Sequence, residues 1–390
     1  MPPLIKSLAL MTFAFAAAPL PAATPEQYRK DAQGMVSLIQ DNYAYPERLP
    51  AKTFTLTEPL KAEMDRVKDA DMLLAFAERA LLLLVDHHAI TGSSFDDSWG
   101  IVPSYADLWI ERRNASYVIT AVRENSPAAK AGIKTAETIS AVSKIAIDDA
   151  VTAFWADLGR TGTITDEEAS FVARILVSGR RDRFRAITIS GADGKARDHS
   201  LPSLYTLPYE RNPVTASERG GHLTIKINDS LNNEATIGAF DLAMTGLRAG
   251  LPVTIDVSNT PSGGNTVVAR AIMGWFVTQP RFYQIHQSPG EERRTGIGRQ
   301  WIEQVMPRTG GQYHAGPVTV RVSRWTGSMG EGLAIGMNAL GARVEGGKMA
   351  QLLGAIEDFR LPNSGLIIKF PTEKLFGIDG TPREDFVGAD

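Results

Sequence analysis

PVTVRVSRWTGSMGEGLAIGMNALG, residues 317–341, is the stretch whose reading decides the fold. Val318 to Ser323 alternates β-branched and polar residues, the pattern of a strand. Glu331 to Leu340 has helical character, and its small residues Gly332, Ala334, Gly336 and Ala339 let such a helix lie close to a sheet. Between them stands Thr326-Gly327-Ser328-Met329-Gly330. A serine on a tight turn between a strand and a helix presents its hydroxyl at the helix's positive end, where unpaired N–H groups suit a developing oxyanion. The same residues also have a purely structural reading. Ser328-x-x-Glu331 is a capping box, which opens helices in proteins of every kind.

The other strand–turn–helix unit of interest lies upstream. Val253 to Ser258 is a strand pattern that runs into Asn259-Thr260-Pro261-Ser262-Gly263-Gly264-Asn265 and then a helix to about Thr278. The double glycine permits positive φ and close backbone approach. Its N–H groups would face the C-terminal ends of the strands, where α/β sheets hold ligands. The two units together could supply one oxyanion hole, with Gly263 or Gly264 from one and the Met329 N–H from the other. A plain exposed loop is the competing reading of Gly263-Gly264. A phosphate-binding loop is excluded, because no Gly-x-x-x-x-Gly-Lys-Ser/Thr is present.

The rest of the 204–390 region alternates strands and helices: Leu223 to Asn228, a helix over 234–248, then later strands at Ala342 to Glu345 and Leu366 to Phe370. That alternation implies an α/β fold with a mostly parallel sheet. Residues 279–316 are polar, with glycine-rich turns, and are expected to be irregular and to form a hairpin excursion. Residues 24–90 form an N-terminal helical segment, with helices at 25–42, 57–69 and 71–85. The last ends in Leu81-Leu82-Leu83-Leu84-Val85 followed by Asp86-His87-His88. Two histidines beside an aspartate suggest chemistry, but taken alone they better suit a helix C-terminus where imidazole meets the dipole.

Residues 100–203 change to short strands, at Leu108 to Glu111, Tyr117 to Val122, Thr138 to Val142 and Ala186 to Ser190. Between them, Ser126-Pro127-Ala128-Ala129-Lys130-Ala131-Gly132 reads as a capped short helix that ends on glycine. This stretch resembles a PDZ domain, a fold that holds extended peptide termini by strand addition. The pattern departs from the resemblance at Ala136-Glu137 and Ser143-Lys144, where Gly-Asp and Asn-Gly are usual. A helical insertion at Asp166 to Ser178 is longer than a minimal PDZ domain needs.

Bulk properties narrow the function further. The 390 residues carry a formal charge of −3 and no long basic run, which argues against nucleic acid as a partner. The absence of cysteine removes disulfides, thiolate metal ligands and a thiol nucleophile. Lys6, the apolar run Leu8 to Ala18, and Pro19 to Ala23 have the layout of a secretory signal peptide over 1–23. It is too short for a good membrane span. The mature protein is therefore expected to be periplasmic or secreted, without stable membrane insertion.

Taken in order, these motifs resemble the tail-specific, or C-terminal processing, serine peptidases and their tricorn-like relatives. The set is Asp-x-His after an apolar helix, a PDZ-like segment, a strand with a Gly-Gly turn, and Ser-x-x-Glu opening a helix. The resemblance covers roughly residues 70–390. It implies a crotonase-like (ClpP-like) α/β catalytic core, a polypeptide substrate and no metal or organic cofactor. It has two catalytic variants. In the processing-peptidase variant the base is a lysine followed four residues on by glutamine. Lys348 and Gln351 stand in that region in the wrong register. In the tricorn-like variant the base is a histidine from Asp-x-His, which matches His88, and a late glutamate assists, which matches Glu384. The resemblance thus implies Ser328, His88 and Glu384, with Lys348 as reserve base. Glu331 and Asp86 compete with Glu384 for the third place. A catalytically inactive peptide binder on the same scaffold, and a hydrolase of small esters, are the alternative functions.

Overall fold

The computed structural model describes residues 23–191, 193–208, 210–247 and 250–390, so all but the last residue of the expected signal peptide lies outside the described residues. Thr24 opens the first helix, Pro25–Asn42, by a reciprocal cap: its hydroxyl accepts from the Gln27 N–H, and the Gln27 side chain accepts from the Thr24 N–H. Ala32, Met35 and Ile39 make its buried stripe. Helices Glu58–Arg66 and Ala70–Leu81 follow. The expected helix to Val85 stops earlier. A 3₁₀ turn covers Leu82–Leu84, and Val85 adopts a left-handed conformation at φ 52°, which swings Asp86-His87-His88 off the helix axis.

The β-rich part is a six-stranded sheet. Its main path runs Leu108–Arg113, Ser116–Val122, Thr138–Val142, Arg185–Ser190, Ala196–Leu201, with Ile145–Ala146 paired beside Thr138–Val142. The turns at the positions that depart from the PDZ pattern are tight ones. Ala136, Ser143 and Lys144 all have positive φ, where glycine or asparagine would sit with less strain. Helix Ile147–Asp157, which the sequence reading missed, backs helix Asp166–Ser178. One continuous apolar cluster joins Met35 and Leu73 of the N-terminal helices to Trp109, Ile119 and Val172, and on to Phe370. The helical segment and the β-rich sheet therefore share a core.

The second core belongs to the α/β part. Its sheet runs Arg343–Glu345, Val318–Arg321, Val253–Asp256, His222–Ile227, Val214–Arg219, parallel throughout except at the last pair. Val253, Ile255 and Val320 are buried, as expected of strands covered on both faces. Residues 279–316 form the expected hairpin but are not irregular. They hold strands Arg281–Gln287 and Gln300–Val305, paired antiparallel around helix Pro289–Thr295. The second of these strands is half exposed, so polar residues alternate along it and mask its strand character in sequence. The hairpin joins a second five-stranded sheet through the strand Ile367–Phe376. Ile90–Thr91 pairs with the same strand, antiparallel. The residues just before Ile90 are thereby tied to the C-terminal quarter of the chain.

An ion pair deep in the β-rich part reports on its integrity. The Asp107 and Arg185 side chains are almost wholly buried and 2.6 Å apart, and Asp107 also accepts the Ala128 N–H that opens the short helix Pro127–Lys130. Replacing Asp107 by Ala leaves the guanidinium buried without its partner. The expected loss is about 3–5 kcal/mol in urea unfolding, with the Asp107→Ala, Arg185→Met double variant recovering part of it.

Candidate active site

Two short parallel strands, Asn259–Thr260 and Trp325–Thr326, bring the two glycine-bearing turns together. Both threonines are fully buried and bonded to the main chain beneath them. Thr260 donates to the Ile227 carbonyl and Thr326 to the Val257 carbonyl. The Gly327 N–H donates to the Thr260 carbonyl, which joins one turn directly to the other.

Ser328 follows at φ 51°, ψ −115°, a backbone conformation costly for any residue but glycine. Its N–H donates to Glu331 Oε2 at 2.9 Å, and Glu331 Oε1 accepts the Gln351 N–H at 2.8 Å. Glu331 is fully buried, and burial raises its carboxyl to about 7 against the pull of Arg383 and these N–H donors. The Arg383 guanidinium stands 3.7 Å from it and donates to the Leu352 carbonyl. The cap and the presentation of the serine are thus one arrangement: Glu331 holds the Ser328 main chain, and the hydroxyl points elsewhere.

That hydroxyl meets His88. The Ser328 Oγ to His88 Nε2 distance is 3.0 Å, across 240 residues of sequence. The other ring nitrogen, Nδ1, lies 2.7 Å from the Leu353 carbonyl oxygen. A carbonyl only accepts, so Nδ1 carries the hydrogen, and in the neutral ring Nε2 is then the acceptor facing the serine O–H. Burial, with a smaller push from Arg383, lowers the His88 pKa to about 3, so the ring is neutral at neutral pH. Asp86 does not touch the ring. It accepts the His88 N–H at 2.8 Å and the Tyr43 hydroxyl at 3.2 Å, and burial raises its carboxyl to about 6. It therefore fixes the main chain that carries the imidazole. His87 faces away and stacks on Phe171.

Of the two glycines, Gly263 is the one beside the serine. At φ 68°, a Cβ on it would fall 2.8 Å from Ser328 Oγ and 3.0 Å from the Met329 nitrogen, and still closer to Ser328 Cβ. Gly264 packs instead against the Leu231 backbone. No acceptor among the described residues takes the Gly263 or Met329 N–H. Glu384, expected as the third member, is not on the imidazole. Its main-chain oxygen accepts from Gln351 Nε2, and its carboxylate Oε2 has no partner among the described residues. Burial raises its carboxyl pKa, and the Tyr45 ring system lies nearby. Lys348 is exposed and lines a different cavity, with Glu111, Arg321 and Glu345. The sequence reading missed the Leu353 carbonyl, since any residue supplies a carbonyl, and it missed Arg383 and Tyr43, whose side chains carry no motif.

Among solved structures, the photosystem II D1 C-terminal processing protease superposes with TM-score 0.54 at 13% identity, covering 93% of this chain and 92% of that one. Mature CPAF complexed with lactacystin gives 0.54 at 12% identity, over 94% and 92%. The chain shares the fold of these proteases. No protein-family model and no curated protein matches it. At this level of identity the likeness speaks to architecture, an α/β core with a β-rich domain, and the chemistry rests on the geometry above. No cluster of three or more potential metal-ligating side chains occurs among the described residues.

The buried groups of the site pull stability in opposite directions with pH. His88, lowered from 6.5 to about 3, contributes stability that is intact above about pH 6.5 and is lost as pH falls toward 3. Glu331 and Asp86, raised from 4.5 and 3.8, contribute stability that is complete below about pH 4 and is lost as pH rises through about 6 to 7. His88→Gln removes only the first contribution. The unfolding free energy of wild type minus that of the variant should therefore be about 2 kcal/mol lower at pH 5 than at pH 7, measured by urea titration at both pH values.

Proposed function

We propose that the protein is a serine-type peptidase that hydrolyses peptide bonds through an acyl-enzyme on Ser328, with His88 as general base. The observation that carries this reading is the 3.0 Å contact between Ser328 Oγ and an Nε2 whose tautomer the Leu353 carbonyl dictates. A serine hydroxyl is a weak nucleophile and needs a base within hydrogen-bond reach. His88 takes its proton as Oγ attacks the scissile carbonyl, and returns that proton to the leaving amine. The N–H groups of Met329 and Gly263 border the serine and receive the oxyanion. Water then repeats the cycle on the acyl-enzyme. The Leu353 carbonyl takes the orienting place that a carboxylate fills in many triads.

This assignment follows the histidine-base branch of the resemblance and sets Lys348 aside. Acting near polypeptide C-termini, which the name of the first solved neighbour says of that protein, requires a group that recognises a chain end. The residues assigned so far contain none. The layout of residues 1–23 supports export to the periplasm or beyond, and no helix among the described residues is long and apolar enough to cross a membrane. The intact mass of the exported protein should correspond to a chain that starts between residues 19 and 24.

The chemistry is tested by an active-site label. A fluorophosphonate probe should modify Ser328, and Ser328→Ala should abolish both labelling and peptide hydrolysis. His88→Ala should slow hydrolysis by at least about 10³-fold. Gly263→Ala, which presses a methyl group onto the serine and the Met329 nitrogen, should cost about 10²–10³-fold in kcat. Lys348→Met should leave hydrolysis unchanged. Full activity in His88→Ala together with loss in Lys348→Met would transfer the base to the lysine. A protein that binds peptides and resists every serine-directed label would be an inactive binder.

A further inference from the structure

A PDZ-type sheet captures a peptide by adding it as a strand beside an exposed edge, where unpaired N–H and C=O groups wait for it. In this chain the strand Leu108–Arg113 is the end strand of the β-rich sheet, paired on one side only, to Ser116–Val122. Its other side is covered. Helix Asp166–Ser178 lies along it, and the Arg112 N–H that points outward donates to Ser170 Oγ at 2.8 Å. The same arginine's guanidinium bonds Asp166 at 2.7 Å, at the start of that helix.

The helix is built for this close approach. Ala169, Ser170 and Ala173 are small and buried, so its backbone sits near the strand. It is held from behind as well: apart from Arg174, every residue from Ala169 to Ser178 is buried, and helix Ile147–Asp157 packs against it with Trp155 stacked on Phe171. Trp109, on the end strand itself, is buried, and the guanidinium groups of Arg174 and Arg324 both lie against its ring. Making room for a peptide here means displacing a helix fixed on both sides.

We infer that helix Asp166–Ser178 permanently occupies the peptide-holding edge of the PDZ-like sheet, and that substrates are selected without capture of a free C-terminus there. The first clause stands on the packing alone, and the second rests on the peptidase reading. The sheet then acts as a brace. Its end strand meets the α/β core through the Glu111–Arg324 ion pair at 2.6 Å, and Arg324 in turn bonds Gln351.

The test uses a short fluorescent peptide with an apolar free C-terminus and its carboxamide twin. Wild-type enzyme should cleave the two with kcat/KM values within about twofold of each other. A loss beyond about tenfold on amidation, the signature of a recognised terminal carboxylate, would overturn the second clause. The first clause is read separately on the Ser328→Ala protein, by hydrogen exchange over residues 108–113 with and without the carboxylate peptide. Exchange there should be slow and unaltered by the peptide, and faster in Ser170→Gly. Peptide-dependent protection of that strand with saturable anisotropy would overturn it. Failure to cleave either peptide would remove the peptidase reading and the second clause with it, while the exchange measurement still decides whether the edge is filled.

Discussion

The site depends on how closely two turns approach across the pair Asn259–Thr260 and Trp325–Thr326. Neither turn alone brings Gly263 and the Met329 nitrogen together beside Ser328. The contact is fixed from below, by buried threonine hydroxyls that bond main-chain carbonyls of the parallel sheet. It is fixed laterally by the Gly327 N–H on the Thr260 carbonyl. Gly263 is required because any side chain there would enter the space of Ser328. The positive φ of Ser328 costs on the order of 1–3 kcal/mol, and the buried Glu331 carboxylate, which accepts two main-chain N–H groups, offsets it.

The same constraint explains why a residue so early in the chain reaches the serine. His88 is delivered by three successive local features: the left-handed Val85, the Asp86 carboxylate that accepts the His88 N–H, and the short strand Ile90–Thr91 on Ile367–Phe376. Each is modest, and together they leave the imidazole little freedom. The Leu353 carbonyl completes the placement from the C-terminal side. The segment 349–354 therefore serves both partners, since its Gln351 N–H also holds Glu331.

Much of this was legible in the sequence, because chemistry that needs a special backbone leaves special residues. Glycine pairs, a capping box and a serine between strand and helix mark the two turns, and Ser328, Met329, Gly263 and His88 are found side by side. The alternation of strands and helices likewise disclosed the α/β core. What escaped has a common cause. The orienting acceptor is a backbone carbonyl, which no residue type reveals. Glu384 matched a pattern of spacing, yet its carboxylate lies off the ring, since position along the chain does not fix direction in space. The hairpin at 281–305 is expected from the sequence, but its strands cannot be placed there, because they are half exposed and their alternation carries too few apolar residues to stand out.

The electrostatics of the site follow from burial first and from Arg383 second. Buried against Glu331, it keeps a positive charge near a ring that would itself become positive on taking the serine proton. In the resting pair the loss of solvent, and to a smaller degree that charge, hold His88 neutral, which preserves the acceptor but makes the imidazolium costly. In the proposed reaction the cost changes once Oγ attacks a carbonyl. The proton then moves to the ring while a negative oxygen forms beside the Met329 and Gly263 N–H groups, so the imidazolium gains an opposite charge at short range. The low pKa of His88 describes the resting serine–histidine pair, and in the proposed reaction the developing oxyanion is the group that would raise it. Base strength is then largest when the tetrahedral species forms, which places the stabilising interaction in the transition state rather than in the ground state.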